Sequence, residues 1–424
     1  MTHLFLDIVT GLHNLICSTD YLIRSRTKPT AFLRVRKMTF PEYIYVIVQN
    51  MKSSLQPGLN AFFETYHDGK ISYSKQAFSK GRSRILPEAI LELVTYAVRY
   101  FYEKGKPCTW NGYHLFGIDG TKLNLPCTPE LSKLYDVQYS SGVPQTQALV
   151  SCVYDLVHGI IVDTRFESCR ANEKVATKDM ISNFPLKDIV KPIFIMDRGY
   201  PSAKLIDAII NAGYTFVMRC SSEFVKRIPI TGTDCVVDHS FKMLQHATHL
   251  RMITIPLPGK ETEYLVTNLF DSNITADDFR ELYRMRWGIE TKYNDIKNKL
   301  EVENFTGYTP DSVKQDFYAT LLLSNLASIF RYDTHEEIEA AHTKPTNKRK
   351  YRMNIAATIA ELKGKVMGIL STASAPRRRK LSKKLFNNLR NAVVAVRPGR
   401  SFPRHRQHKS MKFPTNHKHC FALS

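Results

Sequence analysis

The spacing of hydrophobic positions separates a helical first part of the chain from a strand-rich middle. Apolar residues recur at helical intervals over 38–66 and 83–103, and Pro87 falls near the start of the second segment, where a helix tolerates proline. From about residue 113 the apolar runs become short and uninterrupted, which is typical of strands. These runs are YHLFGID (113–119), QALVSCVYDL (147–156), GIIVDTRFES (159–168), KPIFIMD (191–197) and YTFVMRC (214–220). Helical spacing over 172–184 and after Pro201 alternates with the later strands, so this order predicts a mixed α/β sheet.

Three further segments complete this outline. Residues 221–262 are β-like and rich in turns, and they lie between the sheet and the next long helix, so we interpret them as a β-rich insertion. Thr275, with two aspartates in the first turn after it, caps that helix. The apolar block FYATLLLSNLASIF (317–330) is too short to cross a bilayer and contains Ser and Asn, so it predicts a buried core helix.

Asp119 and Asp197 each end a predicted strand and precede a turn that contains glycine, in GIDGTKL and IMDRGYPS. Functional groups gather at the carboxyl ends of parallel strands, so the two carboxylates come close together if their strands are neighbours. Like charges at such a distance raise the pKa of one carboxyl unless a cation neutralises them, and Mg²⁺ prefers carboxylate oxygens and water. The alternative is that both aspartates only cap turns, because Asp-Gly is a common turn sequence.

The segment LYRMRWGIETKYNDIKNK (282–299) predicts a helix with an unusual face. Four side chains fall within roughly 60° of one another on a regular α-helix: Tyr283, Arg286, Glu290 and Lys297. Trp287 falls in the same sector, and we expect it to pack beneath the helix rather than to stack on a base. The alternative is a solvated face held by the Arg286–Glu290 pair, which would not explain why aromatic residues join the charges.

The net charge of +21 is concentrated at the C-terminal end of the chain. Residues 344–424 hold 21 Lys and Arg against one acid, Glu361, so the preceding residues hold the other 39 basic and 38 acidic side chains. Such a segment predicts a polyanion-binding arm, above all for nucleic acid, whereas the alternative is a solubilising tail. The eight scattered cysteines indicate a reducing compartment, and the N-terminus lacks the pattern of a signal peptide. We therefore expect a cytoplasmic protein without a membrane segment.

These residues together resemble the bacterial DDE transposases of the insertion-sequence-four type. The order Tyr-x2-Arg-x3-Glu-x6-Lys from Tyr283 to Lys297 matches the Tyr-Arg-Glu-Lys signature of that family without an insertion. The resemblance extends to IDGTKLNLP around Asp119, to MDRGYPS around Asp197 and to LVTNLF before the helix, and covers about residues 110–310. It implies an RNase H-like, mixed-sheet α/β catalytic core, with a β-rich insertion between the second aspartate and the glutamate.

The resemblance also implies a role for each residue of the site. Asp119, Asp197 and Glu290 would be the catalytic residues and would bind two divalent metal ions, Mg²⁺ with Mn²⁺ able to substitute. Two such ions serve the attacking and the leaving oxygen of a phosphodiester displacement. DNA contacts are expected from the remaining signature residues and from the arginine after the second aspartate: Tyr283, Arg286, Lys297 and Arg198.

The implied activity is cut-and-paste DNA transposition. Members of the family cut at transposon ends, form and reopen a DNA hairpin, and join the free 3′-hydroxyl to target DNA. The expected partners are the terminal inverted repeats, target DNA and a second copy of the chain in a paired-end complex, in a bacterial cytoplasm and on the nucleoid when bound to DNA. Two alternatives remain open: an RNase H-like DNA nuclease without strand transfer, and a non-catalytic transposase-derived DNA-binding protein.

The predicted division of the chain follows from these assignments. It comprises a helical DNA-end-recognition unit (1–107), the first part of the core (108–220), the insertion (221–262), the second part of the core with the Glu-bearing helix (263–335), and a basic DNA-binding or dimerisation segment (336–424).

Overall fold

A computed structural model gives the fold of the chain. It describes residues 3–34, 36–49, 54–69, 72–140, 143–257, 262–342 and 349–396, so the end of the basic segment lies outside the described residues. The chain forms two compact units, each assembled from separate stretches of sequence. The first combines Met1–Gly105, Leu123–Gln147 and Asn294–Ser424, and the second combines Lys106–Lys122 with Ala148–Tyr293. The division into five parts by function stays a prediction.

The secondary structure follows the predicted change from helices to a mixed sheet. The N-terminal helices are α1 (His3–Ile16), α2 (Thr19–Ser25), α3 (Phe40–Val48), α4 (Leu55–His67), α5 (Lys75–Arg82) and α6 (Pro87–Lys104). The middle elements are β1 (His114–Asn124), α7 (Pro129–Tyr135), β2 (Val137–Ser140), β3 (Val143–Asp155), β4 (Ile161–Ser168), α8 (Glu173–Ser182), β5 (Pro192–Met196), α9 (Ala203–Asn211), β6 (Thr215–Cys220), α10 (Ser222–Val225), β7 (Asp234–Ser240), β8 (Ala247–Pro256) and β9 (Thr262–Thr267). The later elements are α11 (Ala276–Met285), α12 (Trp287–Asn294), a π-helical turn (Asp295–Lys299), α13 (Pro310–Asp333), α14 (His335–His342), β10 (Tyr351–Met353), α15 (Ile355–Ser371), α16 (Ala375–Leu389) and β11 (Val393–Ala395).

The first unit is built around helix α13, which packs against α3, α6 and α15. Nearly every side chain from Ser312 to Phe330 is buried, as expected of a helix that other helices of a core enclose. The predicted buried core helix over 317–330 is therefore confirmed. A buried ion pair between Arg82 and Asp316, 2.8 Å long, joins α5 to α13.

The second unit is organised by a mixed sheet in the order β3-β1-β5-β6-β9-β8-β7, with β4 paired to β3. The pairs β1–β5 and β5–β6 are parallel, whereas β3–β4, β6–β9, β9–β8 and β8–β7 are antiparallel. This arrangement confirms the predicted mixed α/β sheet, in which β3 and β4 form a hairpin. Gly159 in the hairpin turn has a φ of +78°, which glycine adopts without strain. The strands β7 and β8, which fall in the predicted insertion, extend the same sheet beyond β9.

Helix α11 carries the first part of the signature and packs on this sheet. Thr275 caps it as predicted, because its hydroxyl accepts the N–H of Asp278 and the Asp278 carboxylate accepts the N–H of Thr275. Phe279 and Leu282 are buried in a cluster with apolar residues of the sheet, among them Ile195. Because this apolar side packs on the sheet, it fixes the position of α11 and of the residues that follow it.

The prediction of a single regular helix over 282–299 is wrong in detail. The α-helix breaks at Arg286, whose N–H bonds to the carbonyl of Tyr283, three residues earlier, at 3.1 Å. Beyond α12 the chain widens into the π-helical turn, where Leu300 N–H bonds to the Asp295 carbonyl, five residues earlier. The regular rotation of 100° per residue about a helix axis is therefore not kept from Tyr283 to Lys297. In the part of the chain that the structure describes, none of the helices is both long and apolar enough to cross a membrane.

Candidate active site

Asp119 and Asp197 lie on neighbouring strands of the second unit. Strands β1 and β5 are parallel, and their register pairs Gly117 with Ile195. Each aspartate stands two residues further along its chain, so the continued register brings the two carboxylates side by side. The condition for the two carboxylates to meet, that their strands are neighbours, is therefore met. One detail differs, since β1 does not end at Asp119 but continues to Asn124.

The Asp119 carboxyl is held in an environment that disfavours its negative charge. Burial raises its pKa to about 6, and the nearby charges of Asp197 and Glu173 act in the same direction. The N–H of Gly120, which donates to Oδ1 at 2.9 Å, and the Arg286 guanidinium lower the pKa. Negative charge is therefore concentrated here, and positive charge at this edge of the sheet would be favoured.

Arg286 stands between the third predicted carboxylate and the first. Its Nη2 donates to Oε1 of Glu290 at 2.9 Å, and its Nη1 lies 3.7 Å from Oδ2 of Asp119. The Arg286 side chain is only 9% exposed, whereas that of Glu290 is 37% exposed. The guanidinium therefore links Glu290 on α12 to Asp119 on β1 and offsets part of their charge.

Two buried side chains attach helix α12 to the sheet beside these acids. The hydroxyl of Tyr293 donates to the carbonyl oxygen of Asp119 at 2.6 Å, and Nζ of Lys292 donates to the carbonyl of Gly159 at 2.7 Å. Burial raises the pKa of Tyr293 well above its ordinary value, so the phenol stays protonated and able to donate. Neither contact follows from sequence spacing, because both partners are backbone carbonyls distant in the chain.

The aromatic members of the signature have different surroundings from those expected. Tyr283 is buried in the core of the second unit, and burial raises its pKa. Trp287 is 44% exposed, so the prediction that it packs beneath the helix is wrong. The packing positions after the helix break are Gly288 and Ile289 instead. A Cβ on Gly288 would lie 3.4 Å from the ring of Tyr154, which is ordinary van der Waals contact, so Gly288 packs against that ring.

The other two predicted DNA contacts are Arg198 and Lys297. Arg198 is exposed directly after Asp197. Lys297 belongs to the π-helical turn, which is part of the first unit. The structure thus brings Asp119, Asp197, Arg286 and Glu290 together in the second unit, and the roles of Arg198 and Lys297 stay predictions.

Sequence patterns did not indicate two further members of the group, Glu173 and Tyr200. Glu173 opens α8 after the N-cap Asn172, where an acid is common in any capped helix, so nothing marked it as part of a site. Its Oε2 accepts a hydrogen bond from the Tyr200 hydroxyl at 3.3 Å. Tyr200 is buried, three residues after Asp197, and burial strongly raises its pKa.

The chemistry of these donors fits a hard divalent cation. Carboxylate oxygens are the ligands that Mg²⁺ prefers, and Asp119 and Asp197 place two of them side by side. In the described part of the chain, however, no three acidic, histidine or cysteine side chains form a group that could hold a metal ion. The Glu290 carboxylate is engaged by Arg286. It would have to leave the guanidinium to join the two aspartates around one ion.

Comparisons with known proteins identify the family of the chain. The chain resembles the solved structure "Cryo-EM structure of piggyBac transposase synaptic complex with hairpin DNA (SNHP)" with a TM-score of 0.46 and 13% identity, over 93% of this chain and 87% of that one. It is 24% identical over 413 residues to "Transposase InsG for insertion sequence element IS4" of Escherichia coli (strain K12), which covers 91% of this chain and 89% of that protein. Residues 110–326, about half of the chain, match the family described as transposase DDE domain. The family match and the InsG relative confirm the resemblance seen in the signature: the chain belongs to the DDE transposases of the insertion-sequence-four type.

Proposed function

We propose that this transposase cuts DNA at transposon ends and joins the 3′-hydroxyl to target DNA, with Asp119, Asp197 and Glu290 as its catalytic residues on an RNase H-like core. The observation that carries the proposal is the meeting of all three positions in one unit. Two come from adjacent parallel strands, and the third comes from a helix attached to the same strand by Arg286 and Tyr293. Carboxylates on neighbouring rigid elements are what metal-dependent phosphodiester chemistry requires.

The three carboxylates would hold two divalent ions, Mg²⁺ or in its place Mn²⁺, which would activate the attacking oxygen and stabilise the leaving oxygen. The chain's own residues supply the arrangement. The parallel register of β1 and β5 fixes the relative position of Asp119 and Asp197. The Tyr293 hydroxyl holds the backbone of Asp119, and Arg286 keeps the charge of Glu290 compensated until DNA binds.

DNA would be contacted by residues around this group. Arg286 presents a planar fork of donors that suits a phosphate as well as it suits a carboxylate. Arg198 is exposed beside Asp197, and Lys297 would add the phosphate contact implied by the family. The family also implies a contact from the hydroxyl of Tyr283, whose side chain would have to reach DNA from a position that is only 6% exposed. The exposure of Trp287 supports its alternative role of stacking on a DNA base.

Helix α16 would add a second contact to the DNA backbone. Its buried face consists of Arg378, Ser382, Leu385 and Leu389. The opposite face is rich in exposed basic side chains, which are Arg377, Arg379, Lys380, Lys383, Lys384 and, at the C-cap, Arg390. None of these six has an acidic partner among the described residues, so their charge is available to phosphates.

The proposed reaction course is cut-and-paste with a hairpin intermediate on the transposon end. The partners are the terminal inverted repeats, target DNA and a second copy of the chain in the paired-end complex. The reaction takes place in a bacterial cytoplasm, with the protein on the nucleoid when bound to DNA. The two alternatives, a DNA nuclease without strand transfer and a non-catalytic DNA-binding derivative, differ from this proposal in their products.

A paired-end strand-transfer assay tests the proposal. The substrate is linear DNA that ends in the inverted repeats flanking the gene, incubated with a supercoiled target plasmid and either Mg²⁺ or Mn²⁺. Wild-type protein should yield cut ends, a hairpin species and joined product. Glu290→Gln should lose cleavage while it retains binding to the ends, because the change removes one charge and little volume. Glu281→Gln, an exposed acid on α11, is the matched control and should behave as wild type.

Each other outcome selects an alternative. Cut ends without joined product would identify a nuclease. Binding without cleavage by the wild-type protein in either metal would identify a non-catalytic derivative. Normal cleavage by the Glu290→Gln variant would overturn the assignment of that residue.

A further inference from the structure

We propose that Glu173 is a fourth carboxylate of the acidic group and helps to attract and position the divalent cation beside Asp119. This inference rests on the proposed function, since it concerns the same site. Glu173 lies 54 residues after Asp119 in the sequence and belongs to no part of the four-residue signature. Its place in the group comes from the fold of the second unit.

The first observation is the closeness of Glu173 to the backbone that follows Asp119. A Cβ built on Gly120 would lie 2.9 Å from both Cδ and Oε1 of Glu173. That separation is shorter than real side chains tolerate, so Gly120 leaves the space into which the Glu173 carboxylate fits. The carboxylate is therefore packed against the residue next to a predicted metal ligand, although α8 has ample solvent-exposed surface elsewhere.

The second observation is the support that holds this carboxylate. The Tyr200 hydroxyl donates to Oε2 at 3.3 Å, and Tyr200 is only 2% exposed. Tyr200 follows Asp197 by three residues, and its N–H bonds to the Asp197 carbonyl at 3.2 Å. The same short loop therefore presents the second aspartate and orients Glu173. Positioning of this kind is typical of groups around metal sites.

The third observation concerns charge. Arg286 contacts Asp119 and Glu290, whereas Glu173 is bonded to a neutral phenol and Asp197 accepts the N–H of Gly199 at 2.7 Å. The Nε of Arg286 is also buried without a hydrogen-bond partner among the described atoms. A group with this surplus of negative charge and an unfilled donor is incomplete without a ligand. A hydrated divalent cation together with a phosphate would supply both missing partners.

An ordinary structural role for Glu173 makes a different prediction. An acid in the first turn of α8 stabilises the helix weakly through its dipole. In that case removal of its charge would lower the unfolding temperature slightly and would leave metal affinity unchanged. The two roles can therefore be separated by measuring cation binding and stability in the same variants.

The experiment is calorimetric titration of Mn²⁺ into the full-length, metal-stripped protein without DNA. Glu173→Gln should weaken Mn²⁺ binding by about tenfold, the usual effect of losing a supporting group at a metal site. The amide oxygen can still accept the Tyr200 hydrogen bond, so the unfolding temperature in EDTA should stay near that of the wild type. Glu281→Gln serves as the matched control for the loss of an acid in the second unit.

Gly120→Ala provides an independent variant, because it keeps every carboxylate and displaces only that of Glu173. We expect Mn²⁺ affinity to fall, by less than in Glu173→Gln. Wild-type affinity in both variants, together with loss of binding in Asp119→Asn, would overturn the role of Glu173 and leave the proposed function standing. Wild-type affinity in Asp119→Asn and Glu290→Gln as well would count against the metal site itself.

Discussion

The Nη2 atom of Arg286 donates to the Glu290 carboxylate at 2.9 Å, while the other end of the same guanidinium faces Asp119 at 3.7 Å. The positive charge of Arg286 therefore lies where a divalent cation would interact with both carboxylates. A cation that binds these carboxylates has to compete with the guanidinium, and the displaced arginine is then free to turn to a phosphate. Loading with metal and binding of DNA would thus assist one another.

Arg286→Gln tests this competition. Loss of the positive charge should strengthen Mn²⁺ binding in the absence of DNA by on the order of tenfold, because the two carboxylates lose their internal partner. Cleavage of transposon ends should fall at the same time, since glutamine cannot hold the phosphate as the guanidinium does. Arg284→Gln, which removes an exposed charge on the same helix, should alter neither property. Weaker Mn²⁺ binding in Arg286→Gln would show that the arginine supports the site instead of competing for it.

Asp119→Asn should make the protein more stable at neutral pH. The folded state raises the carboxyl pKa from 3.8 to about 6, so the folded chain binds this proton more tightly than the unfolded chain does. The corresponding stability is complete below about pH 4 and is lost as the pH rises through 6. The asparagine variant avoids that loss, which amounts to at most about 3 kcal/mol.

Thermal unfolding in EDTA between pH 4 and 8 measures this effect. The variant should unfold at a higher temperature than the wild type at pH 7.5, and the two should converge near pH 4. Asp188→Asn, at an exposed position of the same unit, is the control. A variant that is less stable than the wild type at pH 7.5 would refute the prediction that burial of this charge costs stability.

Tyr293→Phe should disturb both stability and activity. It removes the hydroxyl that donates to the Asp119 carbonyl at 2.6 Å and leaves a partly buried acceptor without that donor. We expect a loss of about 1–2 kcal/mol in unfolding free energy. Cleavage should be slower as well, because Asp119 is less firmly held. Urea denaturation and the cleavage assay report the two effects. Tyr139→Phe, which removes a hydroxyl from a tyrosine that is 76% exposed, should change neither.

Neutralising part of the α16 face should weaken DNA binding in a salt-dependent way. The triple variant Arg377→Gln, Lys380→Gln and Lys384→Gln removes three charges from one strip of the helix. The slope of log affinity against log salt concentration should fall by about 0.9 for each phosphate that the variant no longer neutralises. A control that neutralises the exposed Lys104, Lys187 and Lys191 changes the net charge equally. Equal slopes for the two triple variants would mean that α16 contributes only its net charge.

The sequence predicted the features that depend on local pattern. Alternation of short apolar runs and helices was sufficient for the mixed sheet, and the Thr275 cap followed from a short motif. The pairing of Asp119 with Asp197 was a conditional prediction, because it required two strands to be neighbours. The register of β1 and β5 met that condition.

The features that were missed depend on contacts between distant parts of the chain. The helix break at Arg286 and the outward turn of Trp287 accompany the close packing of Gly288 on Tyr154, which spacing along one helix cannot reveal. Glu173 enters the acidic group because the fold brings the start of α8 beside Gly120. Nothing in its local sequence distinguishes it from an acid that only caps a helix.

The discontinuity of the first unit has a consequence for synthesis. The N-terminal helices α1, α3 and α6 pack on α13, which begins at Pro310. At about 5–20 residues per second, translation from Gly105 to Pro310 takes roughly 10–40 s. During that interval the nascent N-terminal helices lack the helix that completes their core, while the second unit is being synthesised. A message cut short before the codons for α13 would therefore yield a chain whose first unit cannot close.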